Sequence, residues 1–320
     1  MGLTIHANAL IALASAALWG GGDFSGGMGA KASGGSVAGA IRFVILSHLI
    51  SLVVLVGILV GLHAEMPHGA AVLWAMVGGV TGALGLVAFY IALSRGGMGV
   101  SAAVSGLLAA AIPALVSSMM EGAPGAMRLA GFGLAGGAIW LIAAGESPEK
   151  DFPERKGTAG STMGLAVFAG VAFGIYFVAL KLSSPLGLVI PMTIARTSSV
   201  ALCSVVLGVM GVRESLLRVE PRSENPDPSA GSGQAMGHPV LGRWLAGWGW
   251  ACGVALLDTG GNVLFLVASR MGRLDVASVL ASLYPAGTIL LAAWYLHERP
   301  TRRQGLGMVA ALAAVAMITL

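Results

Sequence analysis

Ten stretches of about 20 apolar residues follow one another along the chain. A helix needs roughly 20 such residues to cross the hydrocarbon core of a bilayer, which is about 30 Å thick. Only 10% of the residues are charged, whereas a soluble domain has roughly 25%. The sequence therefore predicts an all-α integral membrane protein. The ten predicted membrane helices cover residues 6–25, 36–61, 70–93, 98–120, 126–145, 160–181, 186–210, 241–268, 275–296 and 303–320.

Two landmark residues recur at the same spacing in each half of the chain. The interval from Gly20 to Arg42 is identical to the interval from Gly174 to Arg196. A charged, proline-containing segment at 146–159 separates five apolar stretches from the next five. Because an odd number of spans reverses the orientation of the second half, the pattern predicts two inverted five-helix repeats.

A second internal sequence similarity supports the duplication and locates an insertion. The motif SRGG at 94–97 resembles SRMG at 269–272, and these motifs lie further apart than the two landmark glycines do. The excess matches a polar insert at about 211–239, which is too poor in apolar residues to fold alone and is expected to be disordered. The predicted domains are a first repeat at 6–145, a linker at 146–159 and a second repeat at 160–320.

Several functional classes lack their signatures in this sequence. There is no P-loop, no Cys or His cluster at metal-ligand spacing and no nucleophile elbow. The sequence therefore predicts no enzyme activity, no cofactor and no metal site. The net charge of +4 is scattered through short connections, which argues against a nucleic-acid partner.

Three polar side chains at membrane depth are the strongest candidates for chemistry. Arg196 lies in the seventh predicted helix and Asp258 in the eighth. A charge in the bilayer centre costs at least about 2.5 kcal/mol, so such residues usually face an interior cavity. Arg196 could bind a substrate carboxylate with Asp258 as counter-ion or proton carrier, or the two could form a structural ion pair. Asn262, one turn after Asp258, could line the same cavity or bond a neighbouring helix.

Further polar and aromatic candidates lie within the predicted helices or near their ends. Asp23 is near the end of the first helix and Arg42 is near the start of the second, so both approach the same face. They could belong to the site or reach interfacial water by extending along the helix. His48 in the second helix could relay protons or simply pack. The helical aromatic residues Trp19, Tyr90, Tyr176 and Tyr284 could wall a cavity or fill the interior.

The end of the chain resembles the end of an EamA repeat in the drug/metabolite transporter superfamily. The matching residues are ASLYP at 281–285, LHERPT at 296–301 and Gln304-Gly305, and the opening Leu18-Trp19-Gly20 with Arg42 is similar to the start of such a repeat. The resemblance implies two five-helix repeats that share a central cavity, alternating access, and export of amino acids, other metabolites or toxic compounds. In the first half the corresponding region, from Pro113 to Glu121, is shorter than the region from Pro285 to Glu298.

Together these features predict a secondary transporter, an exporter of amino acids or other small metabolites. Proton coupling is the simplest driving force, because a carboxylate in lipid can take up and release a proton. The alternative is a non-transporting membrane scaffold or sensor whose polar loop contacts a partner. Expected partners are a small-molecule solute and membrane lipid, and a homodimer is left open.

The compact chain without long tails suits a bacterial inner membrane. Lys and Arg are more frequent in the connections that follow odd-numbered helices. By the positive-inside rule this places both termini outside the cytoplasm. The EamA resemblance implies the opposite orientation, with both termini in the cytoplasm.

Overall fold

The computed structural model describes the chain in seven stretches, and nearly all of their residues are helical. These stretches are 2–32, 36–65, 67–94, 98–143, 159–217, 240–295 and 301–319. No strand occurs within them. The all-α class predicted from sequence is therefore confirmed. The predicted linker at 146–158 and the part of the predicted loop at 218–239 lie outside the described residues.

Eleven α-helices and one short 3-10 helix are found in the described residues. They are α1 (Gly2–Ala32), α2 (Val37–Gly61), α3 (Ala70–Ser94), α4 (Met98–Glu121), α5 (Ala126–Ala143), α6 (Ala159–Ser183), a 3-10 turn (Ser184–Leu186), α7 (Val189–Leu217), α8 (Val240–Met271), α9 (Leu274–Ala281), α10 (Tyr284–Tyr295) and α11 (Arg302–Thr319). Helix α7 extends beyond its predicted end, so residues 211–217 are helical rather than part of a disordered insert.

Six described helices are long and apolar enough to cross a membrane. The spans are Val37–Gly61, Ala70–Leu93, Val104–Glu121, Ser161–Leu186, Val189–Val212 and Gly247–Met271, and Ala126–Ile142 is a shorter apolar helix. Large apolar side chains also cover the outside of the bundle: Val53 is 71% exposed and Leu312 is 72% exposed. Such a surface is suited to lipid rather than water. The protein is an integral membrane protein.

The prediction of one continuous helix over 275–296 is wrong. Helix α9 ends at Ala281 and α10 starts at Tyr284. Pro285 has no N–H, so it cannot bond to the carbonyl of Ala281 four residues before it, and its ring crowds that carbonyl. The backbone turns tightly here instead, with the amide of Leu283 bonding to the carbonyl of Leu280 at 3.2 Å. Pro113, by contrast, lies inside an unbroken α4.

Side chains fix the starts of α2 and α11. The Ser36 hydroxyl accepts a hydrogen bond from the amide of Gly39 at 3.0 Å. At the start of α11 the Thr301 amide donates to Gln304 Oε1 at 2.7 Å, and the Gln304 amide donates to Thr301 Oγ1 at 3.3 Å. This reciprocal arrangement is a capping box. It satisfies amides that would otherwise lack partners at the first turn.

Small residues allow helices from the two halves of the chain to approach closely. The main contacts pair α1 with α8, α3 with α6, α4 with α6, α5 with α11 and α2 with α7. Gly307 of α11 is an example: a Cβ there would lie 2.7 Å from Ile142 Cγ1 and 2.9 Å from the Ala138 carbonyl oxygen in α5. In lipid, van der Waals contact of this kind drives helix association.

Gly307→Ala is expected to destabilise the protein, because the new methyl group has no room against the backbone of α5. Overpacking of this kind costs about 1–3 kcal/mol. Gly305→Ala in the same helix is the matched control, since nothing lies within 4 Å of its added Cβ and alanine has the higher helix propensity. Thermal unfolding of the detergent-purified variants measures the difference. Equal melting temperatures for the two variants would contradict this packing.

Candidate functional site

A narrow cavity of about 50 Å³ lies in the middle of the bundle. Helices from both halves of the chain form its walls, and most of the wall is apolar or aromatic. A small number of charged and polar side chains interrupt that wall. The lining residues are Trp19, Asp23, His48, Gly78, Gly79, Gly82, Ala83, Leu86, Phe173, Tyr176, Phe177, Ala195, Arg196, Ser199, Asp258, Asn262 and Tyr284.

The cavity lies at mid-depth in the apolar helices. Asp258 is close to halfway between Gly247 and Met271, the two ends of its membrane span. At about 1.5 Å of rise per residue, each end of the span is roughly 18 Å from Asp258. Asp258 is therefore far from both ends of its membrane span.

Arg196 and Asp258 form an ion pair in the cavity wall. Arg196 NH2 donates to Asp258 Oδ2 and, at 3.2 Å, to Thr259 Oγ1. Arg196 is 5% exposed. Removing one partner from such a buried pair leaves a charge without compensation. The sequence placed these two residues on adjacent predicted helices, and the structure brings them into contact.

His48 binds the other side of the same guanidinium. Arg196 NH1 lies 2.7 Å from His48 Nε2. Because arginine has only donors, Nε2 must accept, and the ring proton is then on Nδ1, which lies 2.5 Å from Ser199 Oγ. His48 is therefore neutral in this arrangement. A second ring proton would face the guanidinium and break the contact.

Asn262 connects the ion pair to the aromatic wall. Its Nδ2 donates to Asp258 Oδ2 at 3.2 Å, and its Oδ1 accepts from Trp19 Nε1 at 3.0 Å. Trp19 in turn stacks on Phe177, with ring centroids 4.9 Å apart and planes 2° from parallel. The four-residue spacing of Asp258 and Asn262 places them on one side of α8, as expected from sequence. The tryptophan is held in place by both its polar and its apolar contacts.

The two candidates in the first repeat have different positions. Asp23 lines the cavity and is half-buried, and no hydrogen bond or ion pair to it occurs in the described part of the chain. Arg42 is exposed and does not line the cavity. Of the predicted site residues, Arg42 lies outside the cavity. The other four line it: Asp23, Arg196, Asp258 and Asn262.

Sequence reasoning missed two polar members of this network. Ser199 binds His48, and Thr259 binds Arg196. Ser199 follows Arg196 by about one helical turn, which places the two side chains on one helix face, so the spacing could have revealed it. Thr259 follows Asp258 directly and carries no comparable signal.

Arg273, Asp275 and the end of α4 form a hydrogen-bonded cluster that we call the latch. Arg273 donates to the carbonyls of Glu121 at 3.2 Å and Gly122 at 2.7 Å. It also donates through NH2 to the fully buried Asp275 Oδ2 at 2.8 Å. Hydrogen bonding to Asp275 raises the pKa of Arg273. The latch joins α4 of the first half to α9 of the second.

The polar groups of the cavity are suited to hydrogen bonding. Among the residues with described positions, no group of three or more His, Cys, Asp or Glu side chains could hold a metal ion. The cavity combines hydrogen-bond donors, two carboxylates and aromatic side chains. Such a site can orient a small polar solute.

Comparison with known protein families agrees with these features. The family model of the EamA-like transporters, part of the drug/metabolite transporter superfamily, matches residues 237–320. This segment is similar to that family. The resemblance at residues 281–305 is confirmed there. EamA-like proteins are membrane transporters of small solutes rather than enzymes.

Solved structures show the same fold over nearly the whole chain. One of them, described only as "Crystal structure of protein", superposes with a TM-score of 0.65, covers 98% of this chain and 98% of that chain, and is 16% identical. At that identity the likeness concerns the fold alone. No curated protein matches the chain.

Arg196→Gln and Asp258→Asn are each expected to destabilise the bundle, because each leaves the other charge buried without its partner. Breaking a buried ion pair costs about 3–5 kcal/mol. The double variant should lose less than the sum of the single losses. Unfolding of all four proteins in mixed detergent micelles gives this double-mutant cycle. Additive losses would mean that the two side chains do not interact.

Proposed function

We propose that this protein is a secondary transporter that exports amino acids or other small metabolites by alternating access. The observation that carries the proposal is the Arg196–Asp258 pair, held in an aromatic-walled cavity at mid-depth. Placing a charged pair at this depth costs free energy, and charged residues inside membranes usually have a functional role. Binding of a solute between the two halves of a carrier is such a role.

The symmetry of the helix contacts supports an inverted repeat. If α1–α5 correspond to α6, α7, α8, α9 with α10, and α11, each of the main contacts has a counterpart. The pairing of α1 with α8 matches that of α6 with α3, while α2 with α7 and α5 with α11 are their own counterparts. Counting α9 and α10 as one broken span gives ten spans. The domains are then 6–145 and 160–320, joined by the linker.

Two glycine contacts agree with the register of that repeat. Trp19 and Phe173 are separated by the same number of residues as the landmark glycines Gly20 and Gly174, so they occupy corresponding positions of the two repeats. A Cβ at Gly261 would lie 2.6 Å from Trp19 Cδ1, and a Cβ at Gly85 would lie 2.7 Å from Phe173 Cε1. The sequence distance from the SRGG motif to the SRMG motif is the same as that from Gly85 to Gly260. By this correspondence the counterpart of Gly85 is the residue directly before Gly261. Corresponding aromatic residues thus pack at nearly corresponding positions of the opposite half.

Alternating access requires a cavity that can close at either end. The latch provides closure at one end, since it ties the end of α4 to the start of α9 by hydrogen bonds that a small movement would break. The small cavity volume is consistent with a closed conformation, because pockets for drug-sized ligands are roughly 300–1,000 Å³. Rocking of the two halves would widen it.

The site offers both a solute contact and a proton carrier. Arg196 Nε is buried and has no hydrogen-bond partner in the described residues, so a donor remains for a solute oxygen. Asp258 could release Arg196 on taking up a proton, which would couple solute release to a proton gradient. We place the protein in the inner membrane of a bacterium, where such a gradient is available.

Vesicles containing the wild-type protein are expected to move a solute from a mixed pool of amino acids and metabolites, and to move it faster with a pH gradient. Arg196→Ala and Asp258→Asn should each reduce this flux at least tenfold. Arg42→Ala is the matched control, because Arg42 is exposed and stands at the position of the first repeat that corresponds to Arg196. Inside-out and right-side-out vesicles give the direction.

Wild-type flux in both cavity variants, with normal insertion, would mean that the pair is structural and that the solute site lies elsewhere. Deleting residues 218–239 tests the scaffold or sensor alternative in the same assay. A carrier tolerates the deletion. No flux from wild type, together with loss of a binding partner on deletion, would favour the scaffold or sensor.

A further inference from the structure

The cavity holds more negative than positive groups. Its carboxylates are Asp23 and Asp258, and its one charged base among the lining residues is Arg196. His48 is neutral, since its Nε2 accepts from Arg196. With Arg196 bound to Asp258, the charge of Asp23 is left without compensation. A positive charge or a proton is therefore needed to complete the cavity.

Asp23 is placed to receive that positive charge. It lines the cavity one helical turn after Trp19, and no donor or cation among the described residues contacts its carboxylate. It also lies near enough to Asp258 for their charges to repel. The neighbouring Gly22 packs against Asp258, since a Cβ added there would be in van der Waals contact with the Asp258 backbone nitrogen, at 3.5 Å. Repulsion between the carboxylates strengthens the attraction for a cation between them.

The wall of the cavity is also suited to a cation. Aromatic rings of Trp19, Phe173, Tyr176, Phe177 and Tyr284 line it. The faces of such rings attract ammonium groups, with estimates of about 2 kcal/mol or more in desolvated sites. The existing cation, Arg196, is directed to Asp258, Thr259 and His48 rather than to Asp23. Asp23 therefore remains for a ligand.

We propose that Asp23 binds the ammonium group of the transported solute, so that the cavity selects solutes with a primary amine over those with only a carboxylate. This inference rests on the proposed transport function and narrows its substrate class. An amino acid would place its amine at Asp23 and its carboxylate towards Arg196. A simple amine would use Asp23 alone. A simple acid would place a third carboxylate beside the two of the cavity.

Binding of matched probes to the purified full chain tests the proposal. Phenethylamine and 3-phenylpropionate share an aromatic group, and butylamine and butyrate share a smaller alkyl chain. Isothermal titration calorimetry on the protein in detergent should give at least tenfold tighter binding for the amine of at least one pair. Two sizes are used so that the narrowness of the cavity does not decide the result.

Asp23→Asn keeps the shape of the side chain and removes its charge, so it should weaken amine binding at least tenfold. Glu65→Gln is the matched control: it removes one negative charge from an exposed residue outside the cavity, and amine binding should be unchanged. If Asp23→Asn does not purify as a single species, the probe pairs on the wild-type protein decide alone.

Equal binding of amines and acids, tighter binding of the acids, or no binding of any probe would overturn the proposal. Wild-type amine affinity in Asp23→Asn would do the same. The vesicle assay separates this outcome from failure of the transport function. A protein that moves only solutes without an amine is still a carrier, but its selectivity does not depend on Asp23.

Discussion

A guanidinium and a carboxylate in contact, far from water, are the interaction on which the centre of this protein depends. Arg196 and Asp258 come from different helices, so the pair forms only when α7 and α8 are correctly packed. Each further contact restricts the pair: His48 comes from α2, and Asn262 extends the network to Trp19 in α1. Four helices from both halves of the chain thus converge on one pair of charges.

Small residues make this convergence geometrically feasible. A Cβ at Gly79 of α3 would collide with the backbone of Ala195, the residue before Arg196. A Cβ at Gly20 would lie 2.7 Å from the Tyr284 carbonyl oxygen, which brings α1 against the start of α10. In lipid, where burial of apolar surface does not drive association, such close backbone contact stabilises the bundle. These glycine residues therefore allow the helices that line the cavity to pack closely.

The sequence predicted the parts of this structure that depend on composition and periodicity. Long apolar stretches indicated the helices, and the cost of charge in lipid made Arg196 and Asp258 candidates for a cavity. Helical spacing added Asn262 as a candidate for the same cavity. The break before Pro285 was not predictable from the apolar stretch at 275–296, because whether a proline bends or ends a helix depends on the contacts around it. The exposure of Arg42 was not predictable either, since rotation of α2 about its axis is set by its neighbours rather than by spacing.

The role of His48 and the isolation of Asp23 required three-dimensional contacts. A lone histidine in an apolar helix has no distinguishing pattern, and its tautomer follows from Arg196 and Ser199, which are 148 and 151 residues away. Asp23 and Asp258 are equally rare charges in sequence. Only the structure separates them, because one has an arginine partner and the other has no partner in the described residues.

Access to the cavity from each side of the membrane tests the central claim most directly. Ala83→Cys, in a background with Cys203→Ser and Cys252→Ser, places one thiol in the cavity wall. A membrane-impermeant thiol reagent should label it from the face opposite the latch in the otherwise wild-type protein. It should label it from the latch face when Asp275→Asn weakens the latch. Labelling from neither face in either protein would contradict the account, because the cavity would then be a sealed structural core.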